Sequence, residues 1–314
     1  VRVLDSLIHG ISLPKEVLGS KNFELHKGEI RDISVMSKAI LDVDSVIHLA
    51  AIVGDAACDL DSKITEDINF LSVRNIIDLC IKNNIKRLLF ASTCSVYGAS
   101  EDFLTETSGL NPLSLYAQTK ISSEKLLLKS QSDNFHPTIF RMATLFGLSN
   151  RMRFDLVVNI LTSKAFFEGK IPIFGGNQWR PNVHVRDAAR AFTLALKSNI
   201  DKVSGQIFNV GSNDLNYRIE DMGYLVKKCI PESRLEIMKT VTDERNYKVK
   251  FDKIKERLNF SCEFGVEEGV YEIVNFLKQN PDLDVTKKEY SNYLLFKDRI
   301  IEMSMASGES EFIE

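Results

Sequence analysis

Short apolar runs alternate with longer amphipathic segments through the first half of this 314-residue chain, and this alternation restricts the fold more than any other feature. The apolar runs are VRVLDSL at 1–7, SVIHLAAIV at 45–53, KRLLFAST at 86–93 and PTIFRMATLFG at 137–147. Strands that are apolar on both faces are typical of a parallel sheet covered by helices on both sides. The pattern therefore predicts an α/β protein with a doubly wound parallel sheet.

The pattern changes after residue 150. Short strands surround a Gly-Gly turn near residue 175, and helices at 186–198, 218–230 and 265–279 follow. We expect a first domain over 1–150 and a smaller mixed α/β lobe over 151–314, with residues ~182–212 returning to the first domain. The charged last thirty residues predict a surface helix with a frayed tail.

The composition excludes several classes of protein. A formal net charge of −3 provides no broad basic surface, so we expect neither nucleic acid nor an anionic membrane as a partner. There is no apolar run of about 18 residues that would span a membrane. The five cysteines are odd in number, scattered and without CxxC spacing, which indicates reduced thiols in a cytoplasm and no metal site.

The segment at 64–84 has the spacing of an amphipathic helix. Its predicted apolar stripe consists of Ile64, Ile68, Leu71, Ile76 and Cys80. Asn69 lies beside this stripe, and we expect its side chain to make structural hydrogen bonds. We also expect a structural role for His184, because its neighbours are strand-like apolar residues.

Tyr116 and Lys120 lie four residues apart at the start of a predicted helix, SLYAQTKISSEKLLLKS. This spacing places them on one face. It is equally compatible with a buried aromatic ring beside a solvated charge and with a phenol whose protonation is controlled by the lysine. The spacing alone does not decide between the two.

Several motifs in order along the chain resemble those of the extended short-chain dehydrogenase/reductase family. They are VRVLDSL, GEIRD, HLAA, FASTCSVYG, YAQTK, FRMATLFG, RPNVHVRDAARA and FNVGS. The resemblance extends over roughly residues 1–275. Within the family, the motifs are similar to those of the UDP-glucose 4-epimerases. It implies a Rossmann-like fold and a soluble enzyme acting on nucleotide sugars with NAD.

The resemblance implies that Thr93, Tyr116 and Lys120 are the catalytic residues. A free tyrosine has a pKa of about 10. A lysine cation and a nicotinamide charge near the phenol would lower this pKa, so that Tyr116 acts as a base near neutral pH. Thr93, at the end of a strand, would bind the same sugar hydroxyl, and Lys120 would also hold the cofactor ribose.

The resemblance also assigns the NAD site. Asp5 matches the acid that binds the adenosine ribose 2′-hydroxyl, and its charge would repel a 2′-phosphate, which favours NAD over NADP. The other residues implied at this site flank the adenine, lie close to the pyrophosphate and ribose, or contact the nicotinamide half: Asp32, Ile33, Leu49, Ala50, Ala51, Tyr116, Lys120 and Met142.

None of the 16 glycines forms the G-x-x-G-x-x-G turn with which the family binds pyrophosphate. The expected position of that turn precedes VRVLD. We expect that the printed sequence is a fragment without the first strand, turn and helix. The alternative is a protein that has lost normal cofactor binding and serves as a non-catalytic Rossmann-like binding protein.

The implied substrate is a nucleotide-diphosphate sugar. Arg180 and Arg245 match arginines that bind the diphosphate, for which the forked guanidinium donors are suited. Thr93, Thr144 and Asn159 are further candidates for contacts with the substrate. We also expect a homodimer.

The reaction is suggested by the two residues after Thr93. The family's 4,6-dehydratases carry an Asp-Glu pair there, whereas this chain has Cys94 and Ser95, which disfavours removal of water. We therefore expect an NAD-dependent epimerase that transiently oxidises a sugar C4 hydroxyl. The alternative is a C4 dehydrogenase or ketoreductase with the same three catalytic residues.

Overall fold

The computed structural model describes residues 1–10, 13–238 and 245–306. Its strands are β1 (Arg2–Asp5), β2 (Glu24–Lys27), β3 (Ser45–His48), β4 (Arg87–Thr93), β5 (Phe103–Leu104), β6 (His136–Met142), β7 (Thr144–Phe146), β8 (Lys170–Phe174), β9 (Trp179–His184), β10 (Gln206–Val210), β11 (Asn216–Arg218), β12 (Arg234–Met238) and β13 (Lys248–Val249). Its helices are α1 (Lys15–Leu18), α2 (Ile33–Ala39), α3 (Asp55–Cys58), α4 (Ser62–Glu66), α5 (Ser72–Lys82), α6 (Leu115–Lys129), α7 (Val157–Glu168), α8 (Val185–Lys197), α9 (Ile200–Val203), α10 (Ile219–Cys229), α11 (Asp252–Leu258), α12 (Val266–Gln279) and α13 (Asn292–Ala306).

The central sheet has four parallel strands in the order β10-β6-β4-β3. Strand β4 contributes to two different cores, because successive side chains of a strand point to opposite faces. Leu88 and Phe90 pack in one core with helix α5, whereas Leu89 packs in the other with Phe192 of α8. The sheet is thus covered on both faces, and the predicted doubly wound α/β fold is confirmed.

Strands β1 and β2 form a separate parallel pair, in which Asp5 lies opposite Lys27. Arg2 connects this pair to the end of α2, since its Nη1 donates to the carbonyl oxygens of Ala39 and Leu41 over 3.1 and 2.6 Å. Asp5 therefore lies at the carboxyl end of a strand, the edge where open α/β sheets bind ligands.

The helical segment after residue 61 departs from its predicted apolar stripe. Residues Asp67–Leu71 form a π-helical turn between α4 and α5. The wider turn changes the phase of the helix, so Leu71 is 41% exposed while the other four stripe residues are buried. The prediction for Leu71 was wrong. Asn69 makes the predicted structural hydrogen bonds, with the backbone N–H and carbonyl of Ile52.

The segment after residue 150 contains a second group of strands and helices. Strands β8 and β12 pair in parallel, and β9 pairs with both β7 and β11. Strand β10 lies in the central sheet beside β6. The return of residues ~182–212 to the first domain stays a prediction. His184 is buried at the start of α8 and contacts Glu272 over 3.0 Å. The boundary between the two domains at residue 150 stays a prediction.

The chain forms the predicted helix near its carboxyl end, but one face of this helix is buried, whereas a surface helix was predicted. The predicted frayed tail lies outside the described residues. In α13, Leu295 and Phe296 are buried, and Asn292 Nδ2 donates to the Val53 carbonyl over 3.0 Å. Within the residues that the structure describes, there is no helix with the length and apolar character needed to cross a bilayer.

Candidate active site

Helix α6 places Tyr116 and Lys120 beside the end of β4. Ser114 caps the helix, because its Oγ accepts the Ala117 N–H over 3.3 Å. Tyr116 therefore lies in the first helical turn, and Lys120 follows one turn later on the same face. Both side chains are buried, and Lys120 Nζ lies 5.9 Å from the centroid of the Tyr116 ring.

The structure brings the three predicted catalytic residues together. Thr93 ends β4, and its hydroxyl lies close enough to the Tyr116 phenol to lower the pKa of Tyr116. Its Oγ1 also accepts the Ser95 N–H over 3.1 Å. Lys120 Nζ donates to the carbonyl of Ala91 over 2.8 Å. A hydroxyl, a phenol and an ammonium thus meet at the carboxyl end of one strand.

Burial dominates the protonation of this group. It raises the pKa of Tyr116, and the neighbouring Cys58 and Asp55 act in the same direction, whereas Arg153 and the hydrogen bond with Thr93 lower it. Burial lowers the pKa of Lys120 to about 8. The prediction attributed a lower Tyr116 pKa to Lys120 and a nicotinamide together. With the protein's own groups alone, the net shift is upward, because the phenolate loses solvation.

A buried ion pair lies beneath these residues, and the sequence analysis did not identify it. Glu124 continues the face of Tyr116 and Lys120 by one more turn, and its Oε2 accepts from Arg141 Nη2 over 2.7 Å. Glu124 also accepts from the Ser92 hydroxyl. The pair connects α6 to β4 and β6 next to Thr93 and Met142. In the sequence, the position of Glu124 four residues after Lys120 already indicated that the two side chains share one face of the helix.

Asp55 is a second residue that the sequence analysis missed. It begins α3, close after β3, and its Oδ1 accepts from Ser114 Oγ over 2.7 Å. Its Oδ2 accepts from Arg245 Nη1 over 2.9 Å. Asp55 therefore connects the cap of the helix that carries Tyr116 to one of the predicted diphosphate-binding arginines. Its place after a strand end was the signal in the sequence.

The two predicted arginines have different surroundings. Arg245 is exposed, whereas Arg180 is buried. Arg180 Nη1 donates to the carbonyls of Trp179 and Arg245, and its guanidinium lies 5.6 Å from the ring centroid of Tyr247. Arg180 thus supports the backbone of the segment that carries Arg245.

The remaining predicted substrate residues are held within the fold. Asn159 is buried, and its amide accepts the Gly147 N–H over 3.1 Å and donates to the Arg153 carbonyl over 2.9 Å. These two bonds fix the loop between β7 and α7. Thr144 pairs with Asn182 in the strand ladder. Met142, predicted to contact the nicotinamide, ends β6 and packs on the core that contains Phe140.

A cavity of about 330 Å³ lies at the carboxyl end of β1, a volume within the range of small-ligand pockets. Of the predicted cofactor residues, Asp5, Ala50 and Ala51 line it. Asp5 Oδ1 accepts the Leu7 N–H over 2.6 Å. His9 also lines the cavity, and its buried Nδ1 has no hydrogen-bond partner among the described residues. An acid, a buried polar nitrogen and two small residues fit the adenosine half of NAD.

Six predicted cofactor residues lie outside the lining of this cavity: Tyr116, Lys120 and Met142, described above, and Asp32, Ile33 and Leu49. Asp32 caps α2, where its Oδ1 accepts the N–H groups of Ser34 and Val35 over 2.8 and 3.2 Å. Ile33, the first residue of α2, and Leu49, after β3, are both exposed. Their contacts with a cofactor stay predictions.

The position of the dehydratase carboxylates is occupied by groups that do not transfer protons at neutral pH. Burial raises the pKa of the Cys94 thiol, which donates to the Arg141 carbonyl over 3.3 Å. Ser95 accepts from the Thr93 hydroxyl over 3.1 Å. In the part of the chain that the structure describes, no cluster of three or more His, Cys, Asp or Glu side chains could hold a metal ion.

Comparison with known proteins gives a family match. The model of the NAD dependent epimerase/dehydratase family matches residues 2–211, two thirds of the chain. The chain is 29% identical over 283 residues to the UDP-glucuronate 4-epimerase of Thermodesulfobacterium geofontis, with 85% of this chain and 83% of the relative covered. It is also 21% identical over 295 residues to the dTDP-glucose 4,6-dehydratase of Streptomyces niveus, covering 89% of this chain and 84% of the relative.

The fold is similar to that of a solved epimerase. The structure of the UDP-glucuronic acid 4-epimerase from Bacillus cereus, in complex with UDP-glucuronic acid and NAD, superposes with a TM-score of 0.75 at 25% identity. The superposition covers 85% of each chain. That protein's ligands are of the two classes that the sequence motifs imply here.

Proposed function

We propose that this chain, which belongs to the NAD dependent epimerase/dehydratase family, is a nucleotide-sugar epimerase that transiently oxidises a sugar C4 hydroxyl. The proposal rests on one observation. Thr93, Tyr116 and Lys120 meet at the end of β4, and Cys94 and Ser95 come directly after Thr93 in the chain. The site has a base and its partners for oxidation, and it lacks the acidic pair that the dehydratases place there.

The side chains of this site provide the proton chemistry. NAD, when bound, supplies the acceptor for the hydride of the sugar carbon. Tyr116 removes the proton of the C4 hydroxyl, and Thr93 binds the same oxygen and orients it. Lys120 holds a positive charge next to the phenol. Tyr116 gives the proton back to the C4 oxygen when the hydride returns to the opposite face of C4, so the hydroxyl is restored, as a general acid and base must do in a reversible reaction.

The substrate's diphosphate is assigned to Arg245. The guanidinium of Arg245 is accessible, and the side chain of Arg180 donates a hydrogen bond to the backbone carbonyl of Arg245. A diphosphate at Arg245 would approach the carboxylate of Asp55, which is the present partner of Arg245 Nη1. Thr144 and Asn159 stay weaker candidates, because Asn159 uses both ends of its amide to fix a loop.

The cofactor is assigned to the cavity at β1. Asp5 would bind the ribose hydroxyls, and Ala50 and Ala51 allow the close approach of a ligand to the backbone. The cytoplasmic location and the homodimer stay predictions from the sequence.

The experiment is incubation with a panel of UDP-, GDP- and dTDP-hexoses, followed by mass spectrometry and NMR. An epimerase interconverts two nucleotide sugars of equal mass without net formation of NADH. Loss of two hydrogens with accumulation of NADH would make the enzyme a C4 dehydrogenase. Loss of a water molecule would contradict both, together with the argument from Cys94 and Ser95. Tyr116→Phe is the matched control, since it removes only the phenolic oxygen.

A further inference from the structure

Helix α13 forms a link between the lobe after residue 150 and the cofactor half. Its first residue, Asn292, accepts from Arg151 Nη1 over 2.8 Å and donates to the Val53 carbonyl over 3.0 Å. Phe296 is 4% exposed, and its ring lies edge-on to His9 at a centroid distance of 6.2 Å. The helix is therefore fixed on the wall of the cofactor cavity.

The same face of α13 continues into the cavity. Phe296 and Arg299 both line it, together with Asp5. Residues 292, 296 and 299 are spaced by four and three positions, so they lie on one face of the helix. The neighbouring Lys297 is exposed and does not line the cavity.

The lining of the cavity carries charged groups of both signs. Burial lowers the pKa of His9 to about 4, with further lowering by Arg151 and Arg153, so His9 is neutral at physiological pH. The cations that line the cavity are then Lys27 and Arg299, and the anions are Asp5 and Glu29. An adenosine diphosphate group combines ribose hydroxyls, which suit a carboxylate, with phosphates, which suit a guanidinium.

We propose that Arg299 of α13 binds a phosphate of the adenosine diphosphate half of the cofactor, and that Phe296 holds the helix in place for this contact. The carboxyl-terminal helix is then a wall of the dinucleotide site. This inference rests on the proposed function, since it takes NAD as the ligand of the cavity.

The test measures binding by calorimetry and needs no turnover. ADP-ribose and adenosine are titrated into the wild type, Arg299→Ala and the control Lys297→Ala. Arg299→Ala is expected to weaken ADP-ribose about tenfold, the effect of one partly exposed charged hydrogen bond. Adenosine, which has no phosphate, is expected to bind all three proteins equally. Hydrogen exchange of residues 292–300 is expected to slow when ADP-ribose binds to the wild type.

Three outcomes would overturn the inference. Equal ADP-ribose affinity of Arg299→Ala and wild type would exclude the contact. An equal loss for adenosine, or the same loss in Lys297→Ala, would show that the helix affects packing or general charge rather than a phosphate. If the wild type binds neither ligand, the cofactor assignment itself fails, and this result is distinct from the first two.

Discussion

Arg245 and Asp55 lie 190 positions apart in the chain, and their side chains meet over 2.9 Å. Through Ser114, the same carboxylate contacts the cap of the helix that carries Tyr116. Asp55 is also one of the groups that raise the pKa of Tyr116. A thiol with a pKa of about 12 is uncharged at neutral pH, so Cys58 contributes little there, and Asp55 carries the relevant charge.

Asp55→Asn is therefore expected to shift the pH profile of turnover. Removal of a negative charge near the phenol favours the phenolate, so the pKa of Tyr116 falls. The rise of the turnover number with increasing pH is then expected to move to lower pH by about half a unit to one unit. The measurement is the turnover number across pH at saturating substrate. Asp59→Asn, which changes an exposed acid on the same short segment, is the control. A profile that stays in place in Asp55→Asn would contradict the electrostatic role.

Tyr116→Phe is expected to keep the fold and lose nearly all turnover. The substitution deletes one oxygen from a buried ring, and general acid–base catalysis contributes about a hundredfold or more. Thermal melting and ADP-ribose binding check the fold and the cofactor site, and turnover reports the chemistry. A variant that retains more than about a hundredth of the wild-type rate would show that the phenol is not the base.

The burial of Lys120 is expected to make the free energy of unfolding depend on pH. Its pKa is lowered from 10.5 to about 8 in the folded protein, because of burial. Between these two values the unfolded chain binds more protons than the native state, so the free energy of unfolding rises with pH across this window.

The rise of the unfolding free energy with pH that comes from Lys120 is expected to disappear in Lys120→Met. Urea unfolding of the cofactor-free protein at several pH values between 8 and 10.5 measures it as the difference between wild type and variant. Lys125→Met, on the exposed face of the same helix, is the control and is expected to follow the wild type. Parallel curves for wild type and Lys120→Met would contradict the shift.

Glu124→Gln is expected to lower the free energy of unfolding by about 3 kcal/mol. The substitution leaves the Arg141 cation buried without its carboxylate, and breaking a buried pair is costly. The matched control is Glu267→Gln, which breaks the exposed pair with Lys228 and is expected to cost much less, because solvent screens exposed ion pairs. Similar losses in the two variants would mean that the buried pair has no special structural role.

Asp5→Asn tests the preference for NAD. The amide oxygen can still accept the Leu7 N–H, so the local turn is retained while the charge is removed. Loss of the repulsion of the 2′-phosphate is expected to reduce the ratio of NAD to NADP affinity about tenfold. Binding titrations with both cofactors measure the ratio. Equal affinities for NAD and NADP in the wild type would refute the assignment before any variant is made.

The sequence by itself determined the fold class and singled out Thr93, Tyr116 and Lys120, whose catalytic role stays a prediction. Apolar runs separated by amphipathic segments are local patterns, and the sheet they predicted is present. The Tyr116–Lys120 spacing is fixed by the helical repeat, so their shared face followed from the sequence. Thr93 joined them because parallel strands end at one edge of the sheet.

The tertiary structure decided what depends on contacts between distant segments. The pair of Asp55 and Arg245 required two segments 190 positions apart in the chain to come together in the fold, and no local pattern encodes that contact. Leu71 faces outward because residues Asp67–Leu71 form a π-helical turn, which shifts the phase of an otherwise regular apolar stripe. Likewise, the buried face of α13 could not be recognised in a charged terminal sequence, because Phe296 packs in a core with residues far away in the chain, such as Ile30 and Ile52.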